Sequence, residues 1–212
     1  MLMKMEIKPR QLEIIEMAGK LLTKYGVNGL TTKNLADKMN FSEGAIYRHF
    51  KNKEEIILTL LRYLHENVLE ILRKAPKEVD FEEELTSLFI KLARYFKANP
   101  YYVVAVFSEG LMDESARVSE KIMLLIGTLM NHVQLIVEKG QNRNQIVHSI
   151  DCKRIAQIIT PSFRHQMFRW KMSNFTTDIE RDVASLAEAF GKLLQVDRGK
   201  EINHLGGGNR NE

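Results

Sequence analysis

Apolar residues recur at helical spacing along nearly the whole chain, and no stretch sustains the two-residue alternation, rich in Val, Thr and aromatics, that marks a strand. Such a chain buries stripes, so an all-α protein is predicted. Cap and stop residues divide the stripes. A first helix over residues 9–25 starts at Pro9, keeps Leu12, Ile15, Leu22 and Tyr25 on one side and stops at Gly26. The Thr31-Thr32 pair, either member of which can cap, opens a short second helix burying Leu35, Ala36 and Met39. Asn40 tolerates the left-handed conformation of a tight turn, and Ser42 is placed to cap a third helix. A fourth starts at Asn52, with Glu55 as capping-box partner, and runs towards Pro76. The connector of about three residues between helices two and three is helix-turn-helix geometry.

Further helices are predicted over 80–98, capped by Asp80 with Glu83; over roughly 100–109; from about 113 to 139 with Gly140 at the end; from Asp151 to about 172; and from Thr177 with Glu180 to about 196. The chain thus divides into a three-helix unit at 1–52, a larger helical domain at 53–198, and a tail at 199–212 without apolar period, expected to be disordered.

Net charge is +4 for the chain, but residues 1–53 hold ten Lys and Arg against five acids, so the remainder sums to minus one. An excess of positive charge in one small unit suits a polyanion-binding surface. On a helical wheel of the third helix, Ile46 and Phe50 point inward. Gly44, Ala45 and Arg48 lie roughly 120° to 180° away, and Tyr47 and His49 flank them. A helix seated in the major groove needs this distribution, small residues and an arginine towards base edges and hydrogen-bonding side chains towards the phosphate walls. Gly44 lowers helix propensity by about 1 kcal/mol relative to Ala, a cost that close backbone approach to DNA would explain.

Over residues 9–62 the sequence TTKNLADKMNFSEGAIYRHFKNKEEI and its surroundings resemble the DNA-binding signature of the tetracycline-repressor (TetR) family of bacterial transcription regulators. The matching positions are Tyr25-Gly26, the Thr pair, Leu35-Ala36, the run from Ser42 to Phe50, and Lys53-Glu54; the departure is Met39-Asn40-Phe41, where the family usually has Ala-Gly-Val. The bulkier Phe41 implies a slightly repacked core. The resemblance implies phosphate contacts for Thr31, Thr32, Tyr47, His49 and Lys53, and base reading around Lys33, Glu43, Gly44, Ala45 and Arg48, with Ser42 on the same surface as the cap. Helix N-termini favour phosphate at Thr31, Thr32 and Lys53. Glu43 either accepts from a cytosine amino group or favours the helix dipole.

The resemblance further implies a homodimer joined by the last two long helices, and segment 151–172 carries apolar residues on more than one side, as such a role requires. It also implies a small apolar or amphipathic effector inside the second domain, with Tyr101, Tyr102, Phe107, Met123, Met130, His132, Phe163 and Met167 as candidate lining. Pro161 should kink its helix near residues 157–160, either opening that cavity with Phe163 and Met167 on its wall or bending the dimer interface. The expected function is a homodimeric repressor released from a palindromic double-stranded operator by the effector. The alternative is a DNA-binding architectural protein whose second domain docks a protein.

No enzyme motif appears: there is no glycine-rich phosphate loop or nucleophile elbow. The six histidines are dispersed and Cys152 is the single cysteine, so no metal and no cofactor are expected, and the compartment is taken as a reducing cytoplasm. No signal peptide is visible, and the longest apolar run, 122–130, is about half of the roughly 20 residues of a membrane span.

Overall fold

The computed structural model describes residues 7–74, 79–107 and 109–196, the side chains of Phe107 and Glu109 apart. These residues form α1 (Pro9–Gly29), α2 (Thr32–Met39), α3 (Glu43–Tyr47), α4 (Lys53–Arg73), α5 (Phe81–Ala98), α6 (Tyr101–Phe107), α7 (Glu109–Met112), α8 (Ala116–Asn142), α9 (Cys152–Met172) and α10 (Ile179–Leu194). No strand occurs among the described residues beyond one isolated bridge between Ile146 and Gln195. The tail at 199–212 and the approach to Pro76 lie outside the described residues.

Side-chain caps start the helices where short polar residues stand. Thr31, Ser42, Asn52, Asp80 and Asp151 each accept the backbone N–H three residues ahead. Two predicted starts move. α8 is capped by Ser115, not opened at Asp113, because α7 occupies the chain up to Met112. α10 is capped by Asp178 instead of Thr177, after Asn174 and Phe175 both turn the chain with positive φ. Glu55 does not close its box on Asn52; its carboxylate takes the Lys51 N–H at 2.6 Å.

Gly26 adopts φ 67° and breaks α1 as expected, but one more helical turn follows to Gly29. Gly140, by contrast, does not end its helix. It is buried where a Cβ would meet Phe81 and Ile146, so its absent side chain serves close packing, and the left-handed turn falls at Asn144. The predicted helix over 100–109 is helical over Tyr101–Phe107 and again over Glu109–Met112, beyond its predicted end.

α1 packs on α4 and α6, α8 lies between α9 and α4, and α10 runs along α5. The buried residues of both predicted domains form one continuous apolar core. α8, 27 residues long, contains a stretch long and apolar enough by composition to cross a membrane, although the apolar run at its centre is shorter. In this fold it is a packed helix with Val118, Ile122, Val133, Ile136 and Val137 buried.

Candidate nucleic-acid interface

α2 and α3 are joined through Asn40, held at φ 55° and ψ 44°. The Phe41 N–H donates to the Ala36 carbonyl at 2.8 Å, the bond that closes a helix whose last residue turns left-handed. Asn therefore does here what a glycine would do. Phe41 is partly buried and packs against the edge of the core, with the Arg10 guanidinium 5.1 Å from its ring centre.

α3 is one short helix, and Ile46 and Phe50 anchor it with almost no exposure against the core that Ile14, Ile15, Leu22, Leu35 and Ala36 share. With that side fixed, the opposite side is fixed too. Gly44, Tyr47 and Arg48 are exposed, while Ala45 and His49 are half-buried. α3 proper ends at Tyr47, and Arg48 continues its path at φ −69° and ψ −20° as the cap. A Cβ on Gly44 would meet nothing nearer than the Ser42 hydroxyl at 3.8 Å, so the protein's own packing does not require glycine there.

The polar side chains are not all idle. Thr31 and Ser42 oxygens accept their cap bonds, which leaves each hydroxyl proton available as a donor. The Thr32 hydroxyl donates to Glu43 Oε2 at 3.0 Å and lies 3.3 Å from the Tyr47 hydroxyl, so these three residues join α2 to α3 across the exposed surface. Glu43 thus has an occupant within the protein, an option absent from the sequence reading. Lys33 is exposed on the first turn of α2. Lys53 opens α4 but is turned towards the segment between α7 and α8, where its ammonium lies 2.7 Å from Glu114 Oε1.

The candidate effector residues scatter. Tyr101, Tyr102, Phe163 and Met167 are buried in the core, the Phe163 ring lying 4.6 Å from Phe89; Met130 and His132 are half-buried; Met123 is exposed on α8; Phe107 has no described side chain. α9 continues as a helix through Pro161, whose ring is on the exposed side of α9, opposite Phe163 and Met167.

Periodicity gave no sign of the polar atoms inside. The Thr160 hydroxyl and Nε2 of His132 are buried without a hydrogen-bond partner, and the buried Tyr95 and Tyr102 hydroxyls have none beyond the tyrosine cluster itself, in which Tyr102 interacts with Tyr95 and Tyr101. Tyr95 and Tyr102 stack with ring centres 5.6 Å apart, and Tyr101 and Tyr102 lie 4.5 Å apart. Burial pushes the Tyr95 and Tyr102 hydroxyls far above the usual tyrosine range, so both are neutral donors. Burial also pulls His132 below the usual imidazole value, against the opposing pull of Glu84. Tyr101 meets α1 at Gly19, where a Cβ would run into its ring. The interior of the larger unit is thereby in direct contact with the helix that supports α2 and α3.

Among the described residues no group of three or more His, Cys, Asp and Glu could hold a metal. His148 and Cys152 are engaged separately, by Asn144 and Gln134.

A profile of the bacterial regulatory proteins of the tetR family matches residues 14–60. The chain is 22% identical over 187 residues to the fatty acid metabolism regulator protein of Bacillus subtilis, a match covering 88% of this chain and 94% of that protein. Its fold is similar to the solved fatty acid degradation regulator FadR from Bacillus halodurans, with TM-score 0.78 and 19% identity over 88% of this chain and 97% of that one. A second similar fold is FadR from Bacillus subtilis in complex with stearoyl-CoA, with TM-score 0.72 and 19% identity over 84% and 95% of the two chains.

Proposed function

This chain belongs to the TetR family of bacterial regulatory proteins and is a DNA-binding transcriptional regulator, and we propose that it acts in the cytoplasm as a homodimeric repressor released from a palindromic operator by an amphipathic acyl-chain effector. The observation that carries the DNA half of this reading is the exposed side of α3. Gly44 and Arg48 have no side-chain packing to do, Tyr47 is exposed with its hydroxyl beside Thr32, and all three stand opposite a buried anchor in the unit that holds the chain's excess positive charge. Arg48 with Lys33 and Ala45 takes the base-edge positions; Thr31, Tyr47 and His49 take phosphates. Ser42 and Glu43 orient α3, and Thr32 reaches phosphate through the free backbone N–H of the α2 terminus, since its hydroxyl proton is already used. Residues 1–52 are the reader and 53–198 the effector and dimerisation domain, sharing one core at the Gly19–Tyr101 contact.

The effector class follows the relative solved with stearoyl-CoA. The unpartnered Thr160 and His132 atoms, beside tyrosine hydroxyls with no partner outside their own cluster, favour an occupant of the interior over a protein docked outside, because unsatisfied buried groups cost about 1 to 3 kcal/mol each until something pairs with them. An effector that binds best when α6 has moved off Gly19 would shift the population away from the operator-competent arrangement. The test is to select operator sequences from a random library, then add long-chain acyl-CoA, free CoA or free fatty acid to the complex. An inverted repeat released by acyl-CoA alone is expected. A selected motif without two-fold symmetry, or release by none of the three, would overturn the corresponding half.

Two variants separate stability from function. Gly44→Ala should stabilise the protein by up to about 1 kcal/mol through helix propensity, yet weaken operator binding because the added methyl stands between backbone and DNA. Thermal midpoint and operator affinity are measured together, and an Ala variant binding at least as well would show that no close approach exists there. Tyr102→Phe should stabilise the effector-free protein by at most about 1 to 3 kcal/mol, the cost of a buried hydroxyl with no partner outside the tyrosine cluster, and raise the effector concentration needed for release. A loss of stability would mean that the hydroxyl is already paired.

A further inference from the structure

The first turn of α4 is clasped by the turn that leads into α8 and by the start of α8 itself. Lys53 Nζ lies 2.7 Å from Glu114 Oε1. Glu54, the next residue, accepts the Ser115 hydroxyl on Oε1 at 2.7 Å and pairs with the Arg117 guanidinium through Oε2 at 3.1 Å. Ser115 at the same time caps α8 by accepting the Val118 N–H. Residues far apart in sequence are thus tied at one point, immediately after the DNA-reading segment. The Lys53 and Glu114 side chains are only 32% and 22% exposed, so solvent screens this pair less than a freely exposed one.

Lys53 is also the cation that the operator reading assigns to a phosphate. One ammonium cannot be held at 2.7 Å by a carboxylate and neutralise a phosphate fully as well, and a carboxylate left beside the DNA backbone would repel it. We propose that Glu114 is a positioning residue that competes with operator phosphate for the Lys53 ammonium, so that the turn between α7 and α8 sets the affinity of the reader. The Glu54 bonds to Ser115 and Arg117 hold the two helices in register while Lys53 exchanges partners. α8 packs against α4, α5 and α9 and carries His132 among the interior polar groups, so a displacement of α8 by a bound effector is carried along the helix to its Ser115 cap and the adjacent Glu114. With Glu114 drawn towards α4, Lys53 is withheld from DNA; with it drawn away, Lys53 is released.

This inference rests on the DNA-binding reading, and a double-mutant cycle on the full-length protein separates the two. Operator affinity is measured across a salt series for the parent, Glu114→Gln, Lys53→Ala and the double variant, with circular dichroism to establish that each is folded. Glu114→Gln should bind roughly two- to thirty-fold tighter, as expected for one ion pair removed in each protomer. Its salt dependence should steepen by up to about 0.9 for each phosphate gained. Lys53→Ala should bind more weakly with a shallower salt dependence, and the double variant should match Lys53→Ala. If Glu114→Gln leaves affinity and slope unchanged while Lys53→Ala still weakens binding, the competition is refuted and the phosphate role survives. If the tightening persists in the Lys53→Ala background, Glu114 acts only as a nearby negative charge and the proposal is equally overturned. If Lys53→Ala changes nothing, the phosphate role and the competition fall together.

Discussion

Replacing Ile158 and Phe168 together by lysine should convert the protein from dimer to monomer and lower operator affinity at least about 100-fold, the scale on which a second linked site strengthens binding. Both residues belong to a row on α9, Ile158, Pro161, His165, Phe168 and Met172, spaced three and four apart, all exposed and mostly apolar. On α10 a second row, Leu186, Ala189 and Leu193, repeats the spacing, with Leu193 77% exposed. Rows of this period are what a helix offers to another helix, and a two-fold interface lets one patch serve both partners. Four lysine ammoniums brought into such an interface would be desolvated without counter-charges, a cost of several kcal/mol per ion in a buried site. Because both positions are exposed in the protomer, its own core is untouched, and far-ultraviolet circular dichroism should be unchanged. Sedimentation analysis gives the mass and a titration with operator gives the affinity. A double variant that stays dimeric and binds normally would place the interface elsewhere.

Arg48→Ala should cost about 1 to 3 kcal/mol in each half-site, the worth of a bidentate contact to guanine, and therefore about 2 to 6 kcal/mol for the dimer on its operator. Arg48 is exposed and caps α3 through its backbone, so removing the side chain leaves the helix-turn-helix intact. The loss should be confined to the specific sequence. Binding to unrelated DNA should change much less, because it rests on the summed phosphate contacts rather than on one base. Selection with the variant should show relaxed preference at one position in each half-site. Equal weakening on every sequence would make Arg48 a phosphate contact instead.

Ile46 and Phe50, four residues apart, declare the inward side of α3, and Thr31, Asn40 and Ser42 declare the turn between α2 and α3; all five do in the fold what their chemistry predicts. These were legible because a cap, a left-handed turn and a buried stripe each depend on residues within a few positions of one another. The surface chemistry of the same segment was legible only by exclusion: once the anchors are known, Gly44, Tyr47 and Arg48 must face out.

The partners of those outward residues were another matter. Nothing within the local pattern announces that Thr32 donates to Glu43 beside Tyr47, or that Lys53 meets Glu114 from across the chain. Gly140 looked like a helix stop and proved to be a packing contact with Phe81, because a glycine next to an unrelated helix has the same letter as a glycine at a terminus. The interior polar atoms of Tyr95, Tyr102, Thr160 and His132 were equally invisible, since periodicity separates buried from exposed side chains and says nothing of whether a buried hydroxyl finds a partner. Helix type, most helix starts and the orientation of α3 are local properties and were determined by the sequence alone. Which charges pair, which polar atoms are left unsatisfied and which apolar rows remain uncovered were decided only when distant helices met, because those energies depend on distances that the chain acquires by folding.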